Sequence, residues 1–324
     1  MTPLQAFGTQ FWQRARASPI QRAACVATAL VGLTAFVTLD QLVPQSGWWL
    51  FVGLSLTTGF LHGALDVVLL GQAFQRPHQS AWAAALYLVS VVLLGALLGQ
   101  LLALALLTLI VLSAWHFGEP YGRWGANDLL LRTAVGGASV MLPMLLSPIA
   151  MRDVVQLLAQ GDASLVWNTW RALAYAWVAV VAASALRLAL HRSKNMTSVL
   201  TELAAVFTLN AVLSPLMAFA LYFGAYHALS HVGRVVAAQH TPRLRLLFHP
   251  AVFGAVCATA ALLGLLWWYL QGWVASQPPD DSAVVRWLVV ALAAVTPPHL
   301  ILVSRCAHWL KTPGPSDAAP PKSG

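Results

Sequence analysis

The chain has 324 residues, 59% hydrophobic and only 9% charged, with a mean hydropathy of +0.72. A water-soluble domain carries roughly a quarter charged residues, so the composition excludes an ordinary soluble protein and indicates an integral membrane one. The net charge of +8 comes from 18 scattered Lys and Arg, which fits membrane orientation and not nucleic-acid binding. The three cysteines, Cys25, Cys257 and Cys306, lie in or beside apolar runs without metal-site or disulfide spacing.

Residues 1–22 read as an amphipathic cytoplasmic lead-in, because no short apolar core precedes a small-residue cleavage site. A helix needs about 20 apolar residues to cross the hydrocarbon. Apolar stretches predict spans at 23–39, 48–70, 81–98, 101–117, 130–149, 168–187, 198–213, 216–234, 250–272 and 285–309. The tight turns within 81–117 and 198–234 leave the count between eight and ten. The expected fold is therefore an all-α polytopic helix bundle, with 23–310 as one transmembrane catalytic domain. The Pro/Gly/Ser-rich tail 311–324 is expected to be disordered. With the N-terminus inside, fifteen of the 18 Lys and Arg fall on the cytoplasmic side, as expected for a multi-pass protein of the cell inner membrane.

Five of the ten histidines fall inside predicted spans: His62, His116, His227, His231 and His299. At 1.5 Å per residue they lie about 17–22 Å from the outer edges of their spans, which is one slab in the cytoplasmic half of the bilayer. An unpaired polar ring in hydrocarbon costs several kcal/mol, so each needs a partner. One divalent ion shared among them satisfies several imidazoles at once. His227 and His231, four residues apart, would present two rings on one helical face. The plain alternative is that each ring bonds separately to a neighbouring helix.

The carboxylates follow the histidines. Asp66 is i+4 from His62, and Glu119 is i+3 from His116, so both are candidates to hold the outer ring nitrogen of a ligand histidine. Glu202 and Asn210 are polar enough to face the bundle interior. Pro297–Pro298 is expected to break the last span just before His299. Gly63, Gly118, Gly122 and Gly224 would permit close helix approach.

Histidine-rich coordination with an open position suits a non-haem Fe(II) that activates O2, and a site inside hydrocarbon implies a lipid-soluble substrate. Spacing alone does not choose between hydroxylase, desaturase and cleavage dioxygenase, nor between iron and zinc.

The stretches "HGALD" (62–66), "WHFGE" (115–119), "YHALSH" (226–231) and "PPHLILV" (297–303) resemble, in order, the histidine motifs of the Brp/Blh family of membrane β-carotene 15,15'-dioxygenases. The resemblance covers about residues 50 to 305. It implies Fe(II)- and O2-dependent splitting of the central double bond of β-carotene into two all-trans-retinal, the chromophore of microbial rhodopsins. It also implies His62, His116, His227 and His231 as iron ligands, with His299 either accessory or structural. After "HFGE" the family continues with an acidic residue, whereas this chain has Pro120–Tyr121–Gly122, which leaves the carotenoid and the bond open. Trp115, Phe117, Tyr222, Phe223 and Tyr226 would then line a substrate tunnel, their alternative being ordinary helix packing.

Two other readings remain at this stage. A di-iron desaturase needs about eight histidines to fill two sites with imidazole, and the chain has a single HxxxH. A transporter with interhelical histidine bonds, or a zinc hydrolase, would give no oxygen-dependent product.

Overall fold

The computed structural model describes residues 33–34, 36–43, 46–74, 77–119, 126–190, 196–232 and 281–306. Every regular element among them is helical, which matches the all-α expectation. The elements are α1 (Ser46–Leu54), a π-helical turn (Ser55–Gly59), α2 (Phe60–Ala64), α3 (Asp66–Ala73), α4 (Pro77–Gln100), α5 (Leu102–Phe117) and α6 (Ala126–Leu146). Then come α7 (Pro148–Ala159), α8 (Ala163–Leu190), α9 (Met196–Val212), α10 (Pro215–Ala220), a second π-helical stretch (Leu221–Ala228) and α11 (Asp281–Cys306).

Among the described residues, five helices are long and apolar enough to cross a membrane: Ser46–Gly71, His78–Gln100, Leu129–Leu146, Ala163–Leu190 and Ala283–Ser304. Leu102–Phe117 and Val199–Val212 are shorter apolar helices. The predicted spans from 48–70 to 216–234 thus coincide with helices over their described parts, as does 285–309. Span 250–272, most of 23–39, the lead-in and the tail lie outside the described residues.

Burial separates central helices from those that face lipid. Leu129–Leu146 is 67% buried, whereas His78–Gln100 and Ala163–Leu190 are each 17% buried, with Trp82, Leu86 and Leu186 exposed. Helices that are apolar all round but mostly unburied suit hydrocarbon, not water. Helix α6 packs on α5, α8 and α9, while α11 packs on α3, α4 and α5. The indole nitrogens of α8 are satisfied by α6: Trp170 Nε1 donates to Val140 O (2.8 Å) and Trp177 Nε1 to Ala134 O (3.0 Å). Ser214, at the start of α10, donates its N–H and its hydroxyl to the Asp40 carboxylate, at 2.5 and 2.7 Å.

One expectation fails here. Helix α11 runs through Pro297 and Pro298 without interruption. The prolines lack two N–H groups, so the ladder to the preceding turn loses its donors there. Packing on three helices holds the segment helical, and the Thr296 hydroxyl donates to Leu292 O at 2.5 Å.

Candidate metal centre

Four segments bring the histidines together. His62 stands on α2, directly after the π turn Ser55–Gly59, and His116 stands one residue before the end of α5. His227 lies within the second π stretch, and His231 follows it in the next helical turn. His299 stands on α11 just after its two prolines. All five are buried.

The two π segments pack on each other. Gly224 sits so close to α1 that a Cβ there would come within 2.5 Å of Leu54 Cβ. Inserted residues of this kind re-aim side chains along a helix and occur often at functional sites.

At the centre, His299 Nε2 lies 3.1 Å from His62 Nε2 and 3.3 Å from His116 Nε2. His62, His116 and His299 each offer one ligand atom within 4.8 Å of the others. The ring of His231 is 4.3 Å from that of His62, and the ring of His227 is 4.8 Å from that of His116, centre to centre. The sequence placed the five at one depth, and the structure places them in one cluster.

Asp66 stands behind the cluster. Its two carboxylate oxygens are each 2.8 Å from His299 Nδ1, and the Tyr87 hydroxyl donates to Oδ2 at 2.6 Å. A carboxylate can only accept here, so Nδ1 of His299 carries a proton, and in the neutral ring the Nε2 lone pair faces His62 and His116. The expected pairing of Asp66 with His62 is replaced by one with His299. Asp66 opens α3 just past Leu65, and His299 reaches it from α11. Glu119 does lie beside its expected partner, with Oε2 3.7 Å from His116 Nδ1.

The donor set fits a metal ion. Imidazole nitrogens about 2.0–2.1 Å from an ion, at angles of about 90–110°, lie about 2.8–3.4 Å apart, and the two spacings to His299 Nε2, 3.1 and 3.3 Å, match. Separate hydrogen bonds account for the geometry less well, because a single lone pair on His299 Nε2 would have to serve two neighbours at once. The carboxylate behind His299 reproduces the carboxylate–histidine–metal arrangement that fixes a ligand tautomer.

Arg132 on α6 is a supporting residue that the sequence reading assigned to the cytoplasmic charge count. It is 4% exposed, its Nε donates to Trp115 O at 2.8 Å, and its guanidinium lies 3.9 Å above the Trp115 ring. The contact clamps the last turn of α5 where His116 stands. Gly118 and Gly136 let the two backbones meet: a Cβ on Gly118 would run into Arg132 O, and one on Gly136 into Ala114 O and Gly118 N. No periodicity in the sequence marked Arg132 or Tyr87.

The aromatic residues named as tunnel walls divide. The Phe117 ring is 4.5 Å from His227 and 5.3 Å from Tyr222. Tyr222 and Phe223 are buried, whereas Tyr226 is half-exposed, with its hydroxyl 3.2 Å from Glu202 Oε2. Trp115 is partly buried beneath Arg132.

Comparison with known proteins agrees with the motifs. A family profile described as "Beta-carotene 15,15'-dioxygenase" matches residues 54–306. A protein of Halobacterium salinarum named "Probable beta-carotene 15,15'-dioxygenase Blh" is 28% identical over 94% of this chain and 95% of its own length. A "Beta-carotene 15,15'-dioxygenase" of the uncultured marine bacterium 66A03 is 24% identical over 79% of this chain and 92% of its own length. No solved structure matches the chain. Since the matched segment spans most of the molecule and contains all five clustered histidines, the chain belongs to the beta-carotene 15,15'-dioxygenase family and is, by that membership, a membrane-embedded carotenoid dioxygenase.

Proposed function

We propose that the histidine cluster holds one Fe(II) and that the chain splits the central 15,15' double bond of β-carotene with O2, giving two all-trans-retinal. The observation that carries this reading is the convergence of three Nε2 atoms inside an apolar bundle, with Asp66 behind His299. The reaction balances as a dioxygenation: the carbon–carbon double bond and the oxygen–oxygen bond break, and each retinal takes one oxygen atom as its aldehyde. Ferrous iron, when bound, supplies the electron exchange that lets triplet O2 react with a closed-shell polyene.

The protein's own share is positional. His62, His116 and His299 present the atoms that already converge, and His227 and His231 supply the further donors around them. Asp66 holds the proton of His299 on Nδ1 so that Nε2 stays a donor of electrons. Phe117, Tyr222 and Phe223 exclude water beside His227 and offer an apolar flank to a polyene. On the same reading the chain sits in the cell inner membrane with its N-terminus cytoplasmic, and a microbial rhodopsin takes up the retinal.

Expression in a β-carotene-producing bacterium tests this reading. Loss of colour with retinal in the extract is expected. Persistent orange cells without retinal, despite membrane-inserted protein, would contradict it.

A further inference from the structure

Beyond the histidine cluster the bundle encloses a second feature that the dioxygen chemistry does not use. An apolar cavity, open on one side, lies among α5, α6, α7, α8, α10 and α11. Leu106, Leu109, Ile110, Val140, Phe219 and Val289 contribute to its lining, and the described lining residues include no charged side chain and a single hydroxyl, that of Ser139.

Its position relative to the histidines follows from three helices independently. On α5 the lining residues precede His116 by about 9–15 Å of helical rise. On α11 Val289 precedes His299 by about 15 Å by the same rise, and Phe219 precedes His227 by eight residues, most of them π-helical. On all three segments the cavity therefore lies on the N-terminal side of the histidine, at about 9–15 Å on α5 and α11. Aromatic rings link the two: Phe219 lines the cavity, its ring is 6.3 Å from Phe117, and Phe117 is 4.5 Å from His227.

In a symmetric carotene the central double bond lies a comparable distance from each end ring. We propose that this cavity receives one oxygen-free end ring of the substrate, and that its distance from the histidines selects the double bond that is cut. The inference rests on the carotene-cleavage reading above. It goes further by making the cavity, not the metal ligands, the determinant of where along the polyene the reaction occurs. Uncharged walls favour a hydrocarbon ring over a hydroxylated one, because a buried hydroxyl needs a partner and Ser139 is the only hydroxyl among the lining residues.

Leu109→Phe narrows the cavity and Leu109→Ala widens it, and neither residue touches the histidine cluster's nitrogen atoms. For Leu109→Phe the expected result is a KM for β-carotene raised about tenfold or more, the scale of methylene-sized changes in an apolar pocket. A shortened apocarotenal keeps one end ring, so its KM should rise in the same proportion. Leu109→Ala should release a measurable fraction of off-centre cleavage products, resolved from retinal by chromatography. A second readout is independent of turnover: metal-stripped protein in detergent should bind β-carotene, seen as a shift of its visible absorption, and Leu109→Phe should weaken that binding. Wild-type KM, binding and product pattern in both variants would overturn the proposal. Leu109-sensitive binding by a wild-type protein that releases no retinal would support the cavity assignment while overturning the cleavage reading.

Discussion

Asp66 and His299 stand 233 positions apart in the chain, yet the carboxylate of one meets Nδ1 of the other at 2.8 Å. That single contact ties α3 to α11 and decides which nitrogen of His299 faces the cluster. Carboxylates in this position commonly account for a 10–100-fold share of metal affinity. Asp66→Ala is therefore expected to weaken metal binding by about 10–100-fold, read by competition with a graded series of chelators. Unchanged affinity would detach Asp66 from the site.

Tyr87→Phe removes only the 2.6 Å hydroxyl donation to Asp66 Oδ2 and leaves the His299 contact in place. A hydrogen bond to a charged group is worth about 1.5–3 kcal/mol, so the variant should lose less metal affinity than Asp66→Ala but lose some. The same competition assay checks the order. A loss greater than that of Asp66→Ala would contradict the relay from Tyr87 through Asp66 to His299.

Arg132 is expected to resist conservative replacement. Lysine keeps the charge, but it offers neither the flat guanidinium that stacks on Trp115 nor the Nε that donates to Trp115 O. Arg132→Lys should lower the unfolding free energy by about 1–3 kcal/mol, followed as thermal unfolding in detergent. Equal stability of Arg132→Lys and the parent protein would show that charge alone suffices.

At Gly136 a methyl group would strike the backbone of α5 at Ala114 and Gly118, and backbone cannot turn aside as a side chain can. Gly136→Ala should therefore push α5 away from α6 and cost about 1–3 kcal/mol of stability. Because His116 rides on that end of α5, metal content should fall as well. Gly63→Ala is the control, since a Cβ there meets nothing within 4 Å.

What the sequence made legible was whatever depends on local pattern. Apolar run length located the helices, and common depth singled out His62, His116, His227, His231 and His299 before any contact was known. What escaped depends on long-range packing or on irregular helix. Counting i+4 from His62 found Asp66 but gave it the wrong partner, because the approach of His299 from α11, 233 positions away, leaves no mark in the local pattern. Arg132 looked like one more cytoplasmic charge, because nothing in its own neighbours reveals that α5 covers it. Pro297 and Pro298 looked like a break because their lost donors are visible in sequence while the helices that hold the segment are not.

The central claim is that imidazoles from separate helices share one ion. Elemental analysis of the purified, detergent-solubilised protein, combined with X-ray absorption at the metal edge, measures this directly. The account predicts one iron per chain with a first shell of nitrogen and oxygen scatterers at about 2.0–2.2 Å, imidazole among them, and its loss in His62→Ala and His299→Ala. Two metals per chain, sulfur in the first shell, or a full metal complement retained in both variants would contradict it.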